Sequence, residues 1–350
     1  MKNSHGRGYA HHRYACRGYT RHRYARHRFT CRSLEQLVSV GLLVLSATAA
    51  TAAAAPLPPP VDAAITTDPA RDAAHPAAMY QLAIPSHDAS MFGVFYRAAG
   101  GDAHPTVVLL HGLPGFEQNG DLGQTIRRAG WNVLIFNYRG SWGSGGTFSF
   151  GNCVEDVRAA LDYLRLPENF VRLGIDPHRL ALIGHSMGGF LAAFTTQHDD
   201  AVLGAALIAP WNPGVFATNP SPQLDKQQLE EFRGDVGPLS GTSPEALLDE
   251  AKKNAAAWDI VAHASLWSSR PVLVVEADDF LHADDVAVAN SVRKIPLGQI
   301  TEVAMPTDHS YSDQRIALAA ALLGWLKQLE PPRLPRHSDR VRQSGAEDTR

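Results

Sequence analysis

Three side chains far apart in the sequence have the types that hydrolysis at a carbonyl requires. Gly184-His185-Ser186-Met187-Gly188 sets a serine between two glycines, where the apolar run Leu180 to Gly184 gives way to the helix-forming run Met187 to Gln197. In such a strand-turn-helix setting a strained turn holds the serine hydroxyl outward, and small neighbours let strand and helix backbones approach closely. A serine hydroxyl is a poor nucleophile near neutral pH, so it needs a base beside it. The plainer reading of the same residues is a glycine-rich turn with a helix-capping serine.

The base is expected on a loop late in the chain that can cross the strand ends, and His309 in Pro306-Thr307-Asp308-His309-Ser310-Tyr311-Ser312-Asp313 fits. His178, His263 and His282 are less well placed, before the fifth predicted strand, inside an insertion and beside the seventh strand's exit. An acid must hold the imidazole in one tautomer and stabilise its cation. Val272 to His282 (VLVVEADDFLH) releases a buried strand into carboxylates, of which Asp279 is the choice and Asp278 the alternative. Either carboxylate also suits a solvated loop or a helix start. A tetrahedral intermediate needs fixed N–H donors, and the Val107 to Gly115 run (VVLLHGLPG) offers the Leu113 amide, opposite that of Met187. His111 in that run reads as a hydrogen-bonding residue that shapes the loop.

The elements that must position these groups follow from alternating short apolar runs and helix-length segments, the pattern of a mostly parallel sheet covered on both faces. Eight strands are predicted, at Tyr80–Ile84, Phe92–Tyr96, Thr106–Leu110, Asn132–Asn137, Leu180–Gly184, Leu203–Ala209, Val272–Glu276 and Ile300–Ala304. Helices are predicted at Leu122–Ala129, Cys153–Arg165, Met187–Gln197, Ala283–Val292 and Tyr311–Leu329, the second opened by an Asn152/Glu155 capping box. Trp211 to Arg270 is too long for a simple connection. It contains a helix start at Ser243-Pro244 and reads as a small helical cap within a domain spanning 79–330. Trp142, Phe148, Trp211 and Phe216 are candidates to line an apolar pocket.

Charge is unevenly spread. Met1 to Arg32 holds nine Lys and Arg and no acid, whereas 23 basic residues face 35 acidic ones beyond it. The acidic body argues against nucleic acid as a partner. Residues 1–55 read as a basic leader followed by a signal-like apolar segment, Leu37 to Leu45, with small-residue triplets Ala47-Thr48-Ala49 and Ala50-Thr51-Ala52 as cleavage candidates. Export to the periplasm or medium is the expectation, and membrane association through an uncleaved leader is the alternative. Residues 56–78 read as a linker and 331–350 as a polar tail. Cys153 is the single cysteine after residue 31, and no body histidines are spaced as H-x-H or H-x-x-x-H. Neither a disulfide framework nor a zinc site is therefore expected.

HGLPG, NYRGSWGSGG at Asn137 to Gly146, DPHRLALIGHSMGG at Asp176 to Gly189, VLVVEADDF and TDHSYSDQR together resemble the α/β-hydrolase superfamily, in the region of bacterial hydrolases related to prolyl oligopeptidases and dienelactone hydrolases. The order Ser186, Asp279, His309 is the order that superfamily uses. The resemblance implies an eight-stranded, mostly parallel sheet, no cofactor, and hydrolysis through an acyl-enzyme. Serine at 186 in place of cysteine departs from the dienelactone hydrolase pattern. The expected substrate is a small-molecule ester. The alternatives are a short-peptide amidase of the same fold and a non-catalytic binding protein.

Overall fold

A computed structural model describes residues 62–218 and 222–329. Eight strands form one sheet: β1 (Ala78–Ser86), β2 (Ala89–Arg97), β3 (His104–Leu110), β4 (Asn132–Phe136), β5 (Ile175–His185), β6 (Val202–Ile208), β7 (Pro271–Ala277) and β8 (Gln299–Met305). Their order is β1-β2-β4-β3-β5-β6-β7-β8. The β1–β2 and β2–β4 pairs are antiparallel and the remaining pairs are parallel. The described helices are α1 (Ala63–Thr66), α2 (Gly120–Arg128), α3 (Phe150–Arg165), α4 (Pro167–Leu173), α5 (Met187–His198), α6 (Pro213–Phe216), α7 (Pro222–Asp235), α8 (Pro244–Trp258), α9 (His282–Arg293) and α10 (Arg315–Gln328).

The strand sequences explain the layers. Successive side chains of a strand point to opposite faces, and both faces here are covered, so the stretches Val107–Leu110, Val133–Phe136, Leu180–Ile183 and Val272–Val275 are apolar at every position. Val108, Leu110, Leu182 and Leu207 pack with the apolar sides of α3, α5, α8 and α9. Their neighbours Val107, Leu109, Ile183 and Ile208 pack with α2 and α10 on the other side. The chain leaves β3 for β4 on one side and then passes back over β3 to β5. The loops after β3 and β5 therefore diverge at the strands' carboxyl ends, the crevice where open α/β sheets bind ligands.

Between β6 and β7 the chain forms α6, α7, α8 and a short 3-10 turn at Ala264–Trp267. The α8 start is as the sequence predicts: Ser243 accepts a hydrogen bond from the Ala246 N–H at 3.2 Å and Pro244 opens the helix.

Four readings are corrected. The helix predicted from Cys153 begins at Phe150, because Ser149 and not Asn152 caps it, accepting from the Asn152 N–H at 3.1 Å. Glu250 of α8 accepts from the Phe150 and Gly151 N–H groups, and Glu155 turns to Arg139 and His87. The last helix begins at Arg315, since Tyr311 lies at φ 56° in a turn and its hydroxyl donates to the Val275 carbonyl. The linker region contains α1, whose Ala64 carbonyl accepts from Arg128 at 2.6 Å. Finally, α4 was not expected, since seven residues opened by a proline show no apolar repeat. The leader, the start of the linker and the tail lie outside the described residues.

Two buried charge arrangements generate predictions. Arg139, 6% exposed, holds Asp156 through its side chain at 2.5 Å and its own N–H at 2.8 Å, while Ser86 donates to the same carboxylate at 2.7 Å. Burial of Asp156 outweighs these bonds and raises its pKa above the usual range. Such a pair adds little net stability, but removing one partner strands the other. Asp156→Ala is therefore expected to cost about 3–5 kcal/mol in a denaturant titration.

Asp285 is fully buried in α9, with Oδ1 unpaired and Oδ2 at 3.4 Å from the Ala277 N–H. Burial, then the charges of Asp279, Glu276 and Asp284, push its pKa up to about 8. An unfolded aspartate titrates near about 3.9, so folding takes up a proton between these values. The stability this supports is present at low pH and lost as pH rises through the folded value. Melting temperature should fall from pH 5 to pH 9, and Asp285→Asn, which mimics the protonated acid, should flatten that slope. An unchanged slope would assign the titration elsewhere.

Candidate active site

Ser186 joins β5 to α5 with φ 58° and ψ −120°, a conformation costly for a residue with a Cβ. Its surroundings impose it. The Ser186 N–H donates to the Ile208 carbonyl at 2.9 Å, and its own carbonyl accepts from Gly189 at 2.9 Å and Trp211 at 3.1 Å. A Cβ on Gly184 would collide with the Gly188 carbonyl, and one on Gly188 with the Leu110 carbonyl. The glycines flanking Ser186 thus let β3, β5 and α5 meet backbone to backbone.

The loop after β3 passes directly beside the serine, since a Cβ on Gly112 would lie 3.0 Å from Ser186 Cβ. Leu113 and Met187 both line the cavity that Ser186 faces. Among the described residues no backbone acceptor takes the Leu113 or Met187 N–H, so both donors are free for an incoming oxygen. His111 is 1% exposed, and its Nδ1–H donates to the Gly112 carbonyl at 2.8 Å. Burial lowers its pKa to about 4, partly offset by that bond, so it stays neutral and shapes the loop as its sequence setting suggests.

The β7 loop and the loop after β8 bring acid and imidazole together. His309 Nδ1 donates to Asp279 Oδ2 at 2.6 Å, and Asp279 Oδ1 accepts from the Leu281 N–H at 2.7 Å. Burial opposes the Asp279 charge, but the His309 and Leu281 hydrogen bonds and the nearby imidazoles hold its pKa below the ordinary value. Asp278 is exposed, and among the described residues only its backbone N–H is engaged, with the Thr307 carbonyl at 3.2 Å. Between the two aspartates left open by the sequence, Asp279 meets the imidazole. His178, His263 and His282 stand outside the cavity wall.

Ser186 and His309 line one cavity of about 680 Å³. No hydrogen bond joins the hydroxyl to the imidazole among the described residues, a common state of such pairs without substrate. The walls are aromatic, from Phe150, Trp211, Phe216 and Phe232, with Glu231, Asp235 and Asp284 among them. Trp211 and Phe216 thus line the pocket as their positions suggested. Phe148 is instead a core residue, and Trp142 donates from its indole to the Pro114 carbonyl at 2.6 Å. Sequence reasoning missed Phe150, Phe232 and Phe280. Phe280, 79% exposed with its ring 4.9 Å from that of His309, had one readable signal: it directly follows Asp279.

Among the described residues no group of three or more His, Cys, Asp or Glu is arranged to hold a metal ion. The arrangement offers a hydroxyl, an imidazole oriented by a carboxylate, and two unpaired amides at one cavity mouth.

A family profile described as alpha/beta hydrolase fold matches residues 105–256. Over 178 residues the chain is 26% identical to the quorum-quenching protein AidA of Acinetobacter baumannii, covering 48% of this chain and 57% of that one. Over 89 residues it is 34% identical to the uncharacterized protein YfhR of Salmonella typhimurium, covering 25% and 29%. The chain thus spans little more than half the length of the first relative and less than a third of the second. Among solved structures, the metagenomic carboxylesterase EstE1 aligns with a TM-score of 0.52 at 22% identity, over 73% of this chain and 91% of that one. A Pyrobaculum calidifontis esterase gives 0.55 at 19%, over 73% and 85%, and Est1E from Butyrivibrio proteoclasticus gives 0.55 at 14%, over 71% and 98%. At these identities the likeness is one of fold. The profile match, the strand order with its hairpin at one edge, and these neighbours give the chain the α/β-hydrolase fold.

Proposed function

We propose that the chain is a serine hydrolase that cleaves carboxylic esters of small molecules through an acyl-enzyme. The observation that carries this reading is the 2.6 Å hydrogen bond from His309 to Asp279 at the mouth of the cavity that Ser186 faces. With Nδ1–H committed to Asp279, Nε2 keeps its lone pair for the serine proton. Ser186 Oγ attacks the ester carbonyl as His309 takes that proton. The Leu113 and Met187 amides stabilise the oxyanion. His309 then returns the proton to the departing alcohol, and water repeats the cycle to release the acid. The aromatic wall suits an apolar acyl group, and the similar folds named as esterases favour ester over amide.

One observation favours a second reading, release of a residue from a short peptide. Glu231, Asp235 and Asp284 line the same cavity, and carboxylates suit a protonated amine. Comparing p-nitrophenyl esters with amino-acid amides separates the two. The signal-like segment at Leu37 to Leu45 supports export of the enzyme, and activity confined to the cytoplasmic fraction would remove that part.

Ser186→Ala and His309→Ala should each lower kcat by about 10⁵- to 10⁶-fold while leaving the melting temperature nearly unchanged. Substantial activity in either rejects the assignment. Asp279→Asn should cost about 10⁴-fold, and Asp278→Asn should leave kcat near wild type. A fluorophosphonate should label the wild-type chain at Ser186.

A further inference from the structure

His185 ends β5, one residue before Ser186, and is 6% exposed. Its Nε2 lies 2.8 Å from the His309 carbonyl oxygen. A carbonyl can only accept, so Nε2 carries a proton. The two imidazole rings lie 4.6 Å apart, tilted by 39°, and Tyr311 meets the His185 ring edge-on at 6.5 Å. The charged and titratable groups facing His185 are His309, Arg315, Asp279 and Tyr311. Burial, then the positive charges of His309 and Arg315, drive its pKa down to about 3, against the His309 carbonyl bond and Asp279. His185 is therefore uncharged near neutral pH.

The loop carrying His309 has other anchors: Asp278 N–H to the Thr307 carbonyl at 3.2 Å and the Tyr311 hydroxyl to the Val275 carbonyl at 2.7 Å tie it to β7 and its exit, and Arg315, held by Asn119 and Asp121, donates to the Ser310 carbonyl at 3.2 Å. Among the described residues, the His185 side chain makes the one hydrogen bond to the His309 backbone. It therefore links the backbone of the base directly to the strand end that carries the nucleophile, across 124 positions of sequence. We infer that His185 is a positioning residue for the general base: its Nε2–H, donated to the His309 carbonyl, fixes where the catalytic imidazole stands relative to Ser186. This rests on the triad assignment above.

The test compares wild type, His185→Phe and His185→Gln on p-nitrophenyl butyrate, with rates expressed per fluorophosphonate-titrated site. Phenylalanine keeps the ring volume but donates nothing. Its kcat should fall on the order of 10- to 100-fold, as for small misplacements of a catalytic group, with KM little changed. Glutamine, which can donate from its amide, should recover most of kcat. A Phe variant with wild-type kcat, or a folded Gln variant as slow as Phe, overturns the inference. Nitrogen-15 spectra of the wild-type imidazoles decide it independently of variant folding: His185 should be singly protonated on Nε2 at pH 6, and a proton on Nδ1 or on both nitrogens overturns it. If wild type cleaves no ester and takes no fluorophosphonate, the triad assignment fails on its own, and the spectra still determine whether the His185 bond exists.

Discussion

The contact on which the rest of the site depends is made by main chain alone, where the ends of β3 and β5 meet the first turn of α5. Ser186 can hold a positive φ because Gly184 and Gly188 present no side chain to the carbonyls beside them. The resulting strain is held by hydrogen bonds to Ile208, Gly189 and Trp211, which belong to three different elements or connections. Were β5 and α5 to move apart by one methyl group, the hydroxyl would swing away and the Met187 N–H with it. The Ser186 hydroxyl and the Met187 N–H are thus set by one packing event, because they belong to consecutive residues of one turn.

The remaining groups arrive through the sheet. Leu113 follows β3, Asp279 follows β7 and His309 follows β8. Parallel strands bring all their carboxyl ends to one edge, so residues distant in sequence share a rim without any contact between the loops' own sequences. The electrostatics are graded along that rim. Asp279 stays ionised because hydrogen bonds outweigh its burial, whereas Asp285 behind it takes a proton because little opposes its burial. The imidazole therefore meets a single fully committed negative charge near neutral pH. His111 and His185 remain uncharged on either side.

The fold was legible where the physics is local and repetitive. Runs such as Val107 to Leu110 and Val272 to Val275 are apolar at every position, and both proved to be strands buried on two faces. Gly184-x-Ser186-x-Gly188 announced the turn because only glycine tolerates such close backbones. The choice of Asp279 over Asp278 was less secure, since adjacent aspartates differ in direction only once the Leu281 N–H captures one of them. Long-range partners were beyond a linear reading. The α3 boundary depends on Glu250, about a hundred residues away, and Phe150 and Phe232 reach the cavity only through helix packing. His185 was visible as a letter in the motif, but its partner is a carbonyl 124 positions away, in the loop after β8.

The docking of α1 has a geometric corollary. Asp62, its capping residue, pairs with Lys327 near the last turn of α10 at 2.5 Å. Helix α10 starts beside the loop bearing His309 and runs twelve residues to Lys327, which carries the chain about 18 Å along the helix axis. Asp62 therefore lies well away from the cavity mouth, next to where α10 ends. The proximity of residue 62 to the end of α10 suits the described domain to rearrangement by circular permutation.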